Sequence, residues 1–127
     1  MSYRFSAMLH IPGDVREAIA FYQRAFNATV GWSTPPSPDM VAQLLAHGAE
    51  FWLHPASDEI GNPSPKPGSA TVRLMLIVDD PDAVFAQAVA AGALVRSPLQ
   101  DHDYGWRDGS IEDPLGHRWE IAKPLTI

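Results

Sequence analysis

The sequence has no cysteine, no long hydrophobic run and few basic residues. Without cysteine the chain has neither disulfide bonds nor thiolate metal sites, and we expect it to reside in the cytoplasm. Its longest apolar run, residues 74–78, is far shorter than the roughly 20 residues that span a bilayer. Nine lysines and arginines against 15 aspartates and glutamates give a net charge of −6, which repels nucleic acid and anionic membranes. We therefore expect neither nucleic acid nor a membrane as a partner.

The composition is typical of one globular domain. The chain has 127 residues, of which 46% are hydrophobic and 19% are charged. A chain of this length buries most of its apolar surface without disulfide bonds, so we predict a single domain over residues 1–127. The acidic balance mainly favours solubility, and more weakly it favours a cationic ligand.

The first half of the chain has the pattern of a strand, a helix and three short strands. An apolar strand is predicted at residues 5–11, and Asp14 stands where a helix N-cap belongs. Apolar residues then recur at three- and four-residue spacing, which predicts a helix over residues 14–26 that ends at Asn27. Strands are predicted next at residues 28–32, 41–46 and 50–54, with a tight turn at residues 46–49.

The second half repeats this order. A buried strand is predicted at residues 74–78, followed by a helix that starts at Asp79, Asp80 and Pro81 and ends at Gly92. Strands are predicted at residues 93–96, 109–112 and 117–122, and residues 113–116 form the tight turn of the last hairpin. A shift of 65 residues (79 − 14) aligns the caps, stops and following strands of the two halves. This agreement indicates an internal duplication.

Two proline-rich segments interrupt the pattern. Residues 57–69 contain prolines 63, 65 and 67 and predict a stiff linker. This linker separates a first module at about residues 1–56 from a second at about residues 70–127. Residues 34–39 form another proline-rich loop, which is either a lid over a site or a plain surface connection.

Several segments resemble the vicinal oxygen chelate superfamily, which contains glyoxalase I, extradiol dioxygenases, and the bleomycin- and fosfomycin-resistance proteins. The segments are the Phe21-Tyr22 pair of the first helix, residues 78–83 (VDDPDA), residues 104–107 (YGWR) and residues 113–120 (DPLGHRWE). The resemblance implies an α+β fold of two tandem βαβββ modules, whose curved mixed sheets enclose a cleft. It also implies a homodimer, and it leaves open whether the two modules pair within one chain or across the dimer, where the cleft would draw residues from both chains.

Metal-dependent members of the superfamily hold one divalent ion through His and Glu side chains, one from an inner strand of each quarter of the cleft. The resemblance places these positions at Ala7, at Trp52 or its neighbour His54, at Arg73 and at Glu120. Ala7 and Trp52 offer no ligand atom, and a guanidinium has no lone pair to give. We therefore expect no cofactor, and a divalent metal held by His54 and Glu120 is the alternative.

The remaining histidines do not complete a ligand set. His10 is predicted to point away from the face of Ala7, because residues an odd number apart along a strand face opposite sides. His47 falls in a turn and His102 in a polar loop. His117 is predicted to oppose Glu120 by the same parity argument.

Without a metal, the same cleft is a small-molecule pocket with aromatic walls. The expected ligand-binding residues are Trp52, His54, Arg73, Tyr104, Trp106 and Glu120, with Trp106 in a loop. Trp119 is expected to face outward against a helix. Two interpretations of Arg73 stay open, an ion pair with Glu120 or a contact with an anionic group of the ligand. Glu120 is also the candidate general base, a role that pairing with Arg73 weakens.

These features favour a small-molecule binding protein of the glyoxalase/bleomycin-resistance type, with a planar aromatic compound as the expected ligand. Two alternatives remain open. One is a metal-dependent lyase, isomerase or dioxygenase, and the other is a noncatalytic subunit with a vestigial cleft. The sequence leaves open whether the protein is an enzyme.

Overall fold

The computed structural model describes residues 3–125. In chain order the elements are β1 (Ala7–Ile11), α1 (Val15–Phe26), β2 (Thr29–Ser33), β3 (Ala42–Ala46), β4 (Ala49–Pro55), a 3-10 turn (Asp58–Ile60), β5 (Arg73–Ile77), α2 (Pro81–Ala90), β6 (Leu94–Asp101), β7 (Trp106–Glu112) and β8 (Arg118–Pro124). Over residues 3–125, neither helix has the length and apolar character needed to cross a membrane.

Each half of the chain forms its own four-stranded sheet. The N-terminal sheet has the strand order β1-β4-β3-β2, and the C-terminal sheet has the order β5-β8-β7-β6. In both sheets the first and last strands of the half pair in parallel, and the other neighbours pair antiparallel. The predicted α+β fold with two βαβββ units is confirmed, while the position of the boundary between the modules stays a prediction.

Side chains cap both helices at their first turns. The Asp14 carboxylate accepts a hydrogen bond from the backbone N–H of Arg16, and Asn27 ends α1 in the left-handed conformation (φ 55°). At α2 the capping carboxylate belongs to Asp80, which accepts from the N–H of Ala83. The two caps are thus 66 residues apart (80 − 14), one more than the shift predicted from the sequence.

One hydrophobic core joins the two halves. The indole of Trp119, on β8, lies with its ring centroid 5.9 Å from Tyr22 and 4.9 Å from Phe26, both on α1. Its centroid is also 5.1 Å from that of Phe51, on β4. Trp119 is 4% exposed, which confirms that it packs against a helix, and that helix belongs to the other half of the chain.

A buried carboxylate, Asp113, links the same two halves. Its Oδ2 accepts hydrogen bonds from Tyr22 Oη at 2.5 Å and from Trp119 Nε1 at 2.8 Å. Its Oδ1 accepts from the backbone N–H groups of Leu115 at 2.9 Å and His117 at 3.1 Å. Burial raises the pKa of Tyr22 well above its usual range, so the phenol is a stable donor. A buried charge with this many donors is satisfied, and it fixes the last hairpin turn to α1.

Each sheet has one face in the core and one open face. In the N-terminal sheet Ala7 pairs with Phe51 and packs against the core, whereas Met8 pairs with Trp52 and His10 pairs with His54. The prediction that Ala7 faces the cleft and that His10 points away from it is therefore wrong.

A one-residue difference between the halves explains the error. Pro12 and Gly13 separate the last core-facing residue of β1, Ile11, from its helix cap. In the second half Asp79 alone separates the buried Val78 from the cap. Gly13 has a φ of +75°, which glycine adopts without strain. Counting back by the same number from each cap therefore reaches opposite faces.

One further prediction needs correction, and the structure bears on an alternative that the sequence left open. Strand β6 extends to Asp101 and β7 begins at Trp106, so Trp106 lies in a strand and not in a loop. The proline-rich loop at residues 34–39 lies against the start of α1, where Pro38 O accepts from the N–H of Val15 at 2.9 Å. This loop therefore serves as a connection that completes the helix end.

Candidate functional site

The open face of the C-terminal sheet carries a cavity of about 470 Å³. Its lining residues are Arg73 and Met75 of β5, Trp106 and Asp108 of β7, Glu120 of β8, and Tyr104 in the connection before β7. Alternation along the strands places these side chains together, since residues two apart in a strand share a face. Glu120 stands between Met75 on one side and Ser110 on the other.

The cavity contains four of the six ligand-binding residues predicted from the sequence, namely Arg73, Tyr104, Trp106 and Glu120. It also contains Met75 and Asp108, which the sequence analysis missed. The signal for both was present, because Met75 is two residues after Arg73 and Asp108 is two residues after Trp106. The predicted strand over residues 109–112 began too late to apply that spacing.

Arg73 and Glu120 form an ion pair inside this cavity. Arg73 Nη1 lies 3.1 Å from Glu120 Oε2, with the arginine side chain 64% exposed and the glutamate 13% exposed. An ion pair with one exposed partner contributes only about 0–1 kcal/mol. The pair therefore costs little to open, and both interpretations of Arg73 remain compatible with the geometry.

Asp108 is held in place from two sides. The phenol of Tyr104 donates to its Oδ2 at 2.8 Å, and His102 Nε2 lies 2.9 Å from its Oδ1. The hydrogen bond to Asp108 raises the pKa of Tyr104, so the phenol keeps its proton. His102 lies in the connection after β6, as predicted, and its imidazole contacts Asp108.

The environment of Glu120 shifts its pKa. Burial raises the pKa of Glu120, Arg73 opposes that shift, and the nearby carboxylate of Asp108 adds to it. The catalytic role of Glu120 stays a prediction.

Trp52 and His54 lie elsewhere, on the open face of the N-terminal sheet. The ring centroid of Trp52 is 5.9 Å from that of Trp32 on β2, and His54 Nδ1 is 2.9 Å from the carbonyl oxygen of Pro55. Both sheets turn their apolar faces into one core, so their open faces point away from it. One chain therefore does not bring Trp52 and His54 into the cavity that holds Glu120.

The family model of the Glyoxalase/Bleomycin resistance protein/Dioxygenase superfamily matches residues 5–121. The chain belongs to this superfamily. An uncharacterized protein of Mycobacterium bovis is 36% identical over 119 residues, which cover 88% of this chain and 78% of the relative. A solved gene product of Arabidopsis thaliana has the same fold, with a TM-score of 0.74, 25% identity and coverage of 98% of this chain and 99% of the other.

Some proteins of this fold bind metal. FosX from Listeria monocytogenes, solved as a mutant with Mn(II) and 1S,2S-dihydroxypropylphosphonic acid, has a TM-score of 0.66 and 18% identity. The match covers 100% of this chain and 93% of the FosX chain. The shared feature at this identity is the fold alone.

The residues that this chain gathers do not fit such a metal centre. Over residues 3–125, no three His, Asp or Glu side chains lie close enough together to hold an ion. Glu120 and Asp108 are the carboxylates of the cavity, and the guanidinium of Arg73 already engages Glu120, so the two carboxylates do not form a free ligand pair for an ion. His54, the predicted partner of Glu120, is on the other sheet.

Proposed function

We propose that this member of the superfamily is a small-molecule binding protein that holds a planar aromatic compound on its C-terminal sheet. The observation that supports the proposal is the cavity of about 470 Å³ with Met75, Tyr104 and Trp106 in its walls. Small-molecule sites typically measure roughly 300–1,000 Å³ and combine apolar walls with a few polar groups. Aromatic pairs contribute about 0.5–1.5 kcal/mol beyond the area that they bury.

In this proposal a second copy of the chain covers the cavity. Met75 and Ile77 on the open face of the C-terminal sheet are each more than half exposed, as are Met8 and Trp32 on the open face of the N-terminal sheet. Burial of such apolar surface stabilises a complex by about 25 cal/mol per Å². A twofold axis that places the N-terminal sheet of each copy over the C-terminal sheet of the other gives two equal sites. Trp52 and His54 then reach each cavity from the second copy.

Ligand binding is tested by titrating the purified protein with acridine, an uncharged planar probe, and following tryptophan fluorescence and heat. We expect saturable binding that Trp106→Ala weakens by about tenfold, since a stacking wall is lost. The matched control is Ile60→Ala, which shortens an apolar side chain that is 65% exposed in the 3-10 turn outside the cavity. Absence of binding, or equal weakening by both variants, contradicts the proposal.

Dimer formation is tested by sedimentation of the wild type and of Trp32→Glu. Trp32 is 52% exposed in the single chain, so a charge there costs the monomer little and the dimer much. We expect the dissociation constant of the dimer to be at least about tenfold higher for Trp32→Glu than for the wild type. Ile60→Glu is the control and keeps the dimer. A wild type that stays monomeric at every concentration contradicts this part of the proposal.

A further inference from the structure

Among residues 3–125, the carboxylate of Asp108 is the cavity charge with no lysine or arginine in ion-pair contact. Arg73 pairs with Glu120, whereas the contacts of Asp108 are the phenol of Tyr104 and the imidazole of His102. Tyr104 is neutral, and His102 is charged only when it is protonated. Because Arg73 and Glu120 neutralise each other, the remaining negative charge of the cavity is that of Asp108.

This charge lies in a cavity with aromatic walls. Tyr104 and Trp106 line the same cavity as Asp108, and the face of an aromatic ring attracts a cation within about 6 Å of its centroid. The hydrogen bond from Tyr104 and the contact with His102 Nε2 at 2.9 Å hold Asp108 in one position, so it is placed before any ligand arrives. The net charge of −6 adds a long-range field of the same sign.

We infer that the ligand of this cavity is a planar aromatic cation and that Asp108 is the residue that selects it. This inference rests on the proposed function, since it assigns a charge to the same ligand. A protonated amine on the ring edge would donate to Asp108 while the ring stacks on Trp106. Arg73 would remain on Glu120 and would keep that second carboxylate from competing for the amine.

Three acridines with one ring system and different charges test the inference. The probes are 9-aminoacridine as the cation, acridine as the neutral compound and acridine-9-carboxylate as the anion, titrated at mildly alkaline pH. We expect the cation to bind at least about tenfold more tightly than the anion, with the neutral ring between them. If the anion binds as tightly as the cation, the inference is overturned.

The role of Asp108 is tested with Asp108→Asn, which keeps the shape and removes the charge. We expect 9-aminoacridine to bind about tenfold more weakly while acridine binds within about twofold of the wild type. Retained acridine binding also shows that the cavity is intact. Asp103→Asn is the matched control, since it removes an exposed carboxylate from the same β6–β7 connection outside the cavity.

The outcomes separate the inference from the proposed function. Acridine binding that depends on Trp106 but is accompanied by no charge preference overturns the inference alone. Failure of all three acridines to bind overturns both. An unchanged affinity of Asp108→Asn for 9-aminoacridine overturns the assignment of Asp108, even if the order of the three probes in the wild type is as expected.

Discussion

The open faces of the two sheets differ far more than their topologies. Both sheets have the same strand order and the same pairing. The N-terminal face presents Met8, Trp32 and Trp52, whereas the C-terminal face presents Arg73 and the carboxylates of Asp108 and Glu120. The repeated order is therefore maintained by core-facing positions, and the open positions are free to take different chemistry. In the proposed dimer this difference becomes a division between a covering face and a binding face.

The largest effect is expected where the two halves meet, at Asp113. Asp113→Ala removes the acceptor of four hydrogen bonds and leaves the buried donors of Tyr22 and Trp119 without partners. We expect the free energy of unfolding to fall by about 3 kcal/mol or more, measured by urea denaturation. Asp103→Ala, at an exposed aspartate of the same half, is the control and changes stability by less than about 0.5 kcal/mol. Similar losses in both variants would mean that Asp113 does not link the halves.

A smaller effect compares one glycine from each sheet. A Cβ on Gly109 in the C-terminal sheet would lie 2.7 Å from the backbone nitrogen of Leu99 and 2.9 Å from the carbonyl oxygen of Ser97. A Cβ on Gly31 in the N-terminal sheet would meet the end of the Gln43 side chain at 2.5 Å. We expect Gly109→Ala to cost about 2–3 kcal/mol, because the crowding atoms belong to the backbone of β6 and not to the end of a flexible side chain. Gly31→Ala should cost less than half as much, since the Gln43 side chain can rotate away at the cost of its hydrogen bond to Glu50. If urea denaturation shows a larger loss of unfolding free energy for Gly31→Ala than for Gly109→Ala, the N-terminal sheet tolerates an added Cβ less well than the C-terminal sheet.

The smallest effect concerns the charges of the C-terminal face. Because the pKa of Glu120 is raised in the folded state, its contribution to stability is complete below the unfolded pKa and is lost as pH rises through the folded pKa. Glu120→Gln cannot titrate, so its stability relative to the wild type should increase across that pH window, by less than the Gly109→Ala loss. Urea denaturation over a pH series measures this difference. If the unfolding free energy of Glu120→Gln relative to the wild type stays constant or falls as pH rises, the raised pKa of Glu120 is contradicted.

Much of the fold followed from local patterns in the sequence. Asp14, Asn27 and Pro81 mark helix ends by chemistry that acts within one turn, and the apolar spacing of α1 gave its buried face. The turns at residues 46–49 and 113–116 were also predicted correctly, since His47, Gly48 and Gly116 have positive φ there. These features depend on neighbours in the chain, which is why a single sequence is enough to find them.

The candidate site was harder to predict for two physical reasons. On strand β7 the residues opposite the open face are Arg107 and Gly109, so the apolar alternation that reveals strands was absent around Trp106 and Asp108. The grouping of Trp52 with Glu120 required the relative placement of two sheets, which their shared core decides and local spacing does not. The extra residue at Pro12 and Gly13 then reversed the face expected for Ala7.

The aromatic contacts around Trp119 affect how the protein unfolds. Helix α1 supplies Tyr22 and Phe26 to the second half, and β8 supplies Trp119 to the first, so each half lacks part of its core when alone. Opening either sheet exposes apolar surface of both, which couples their unfolding. Although the chain is built from two similar units, we expect it to unfold in one cooperative transition.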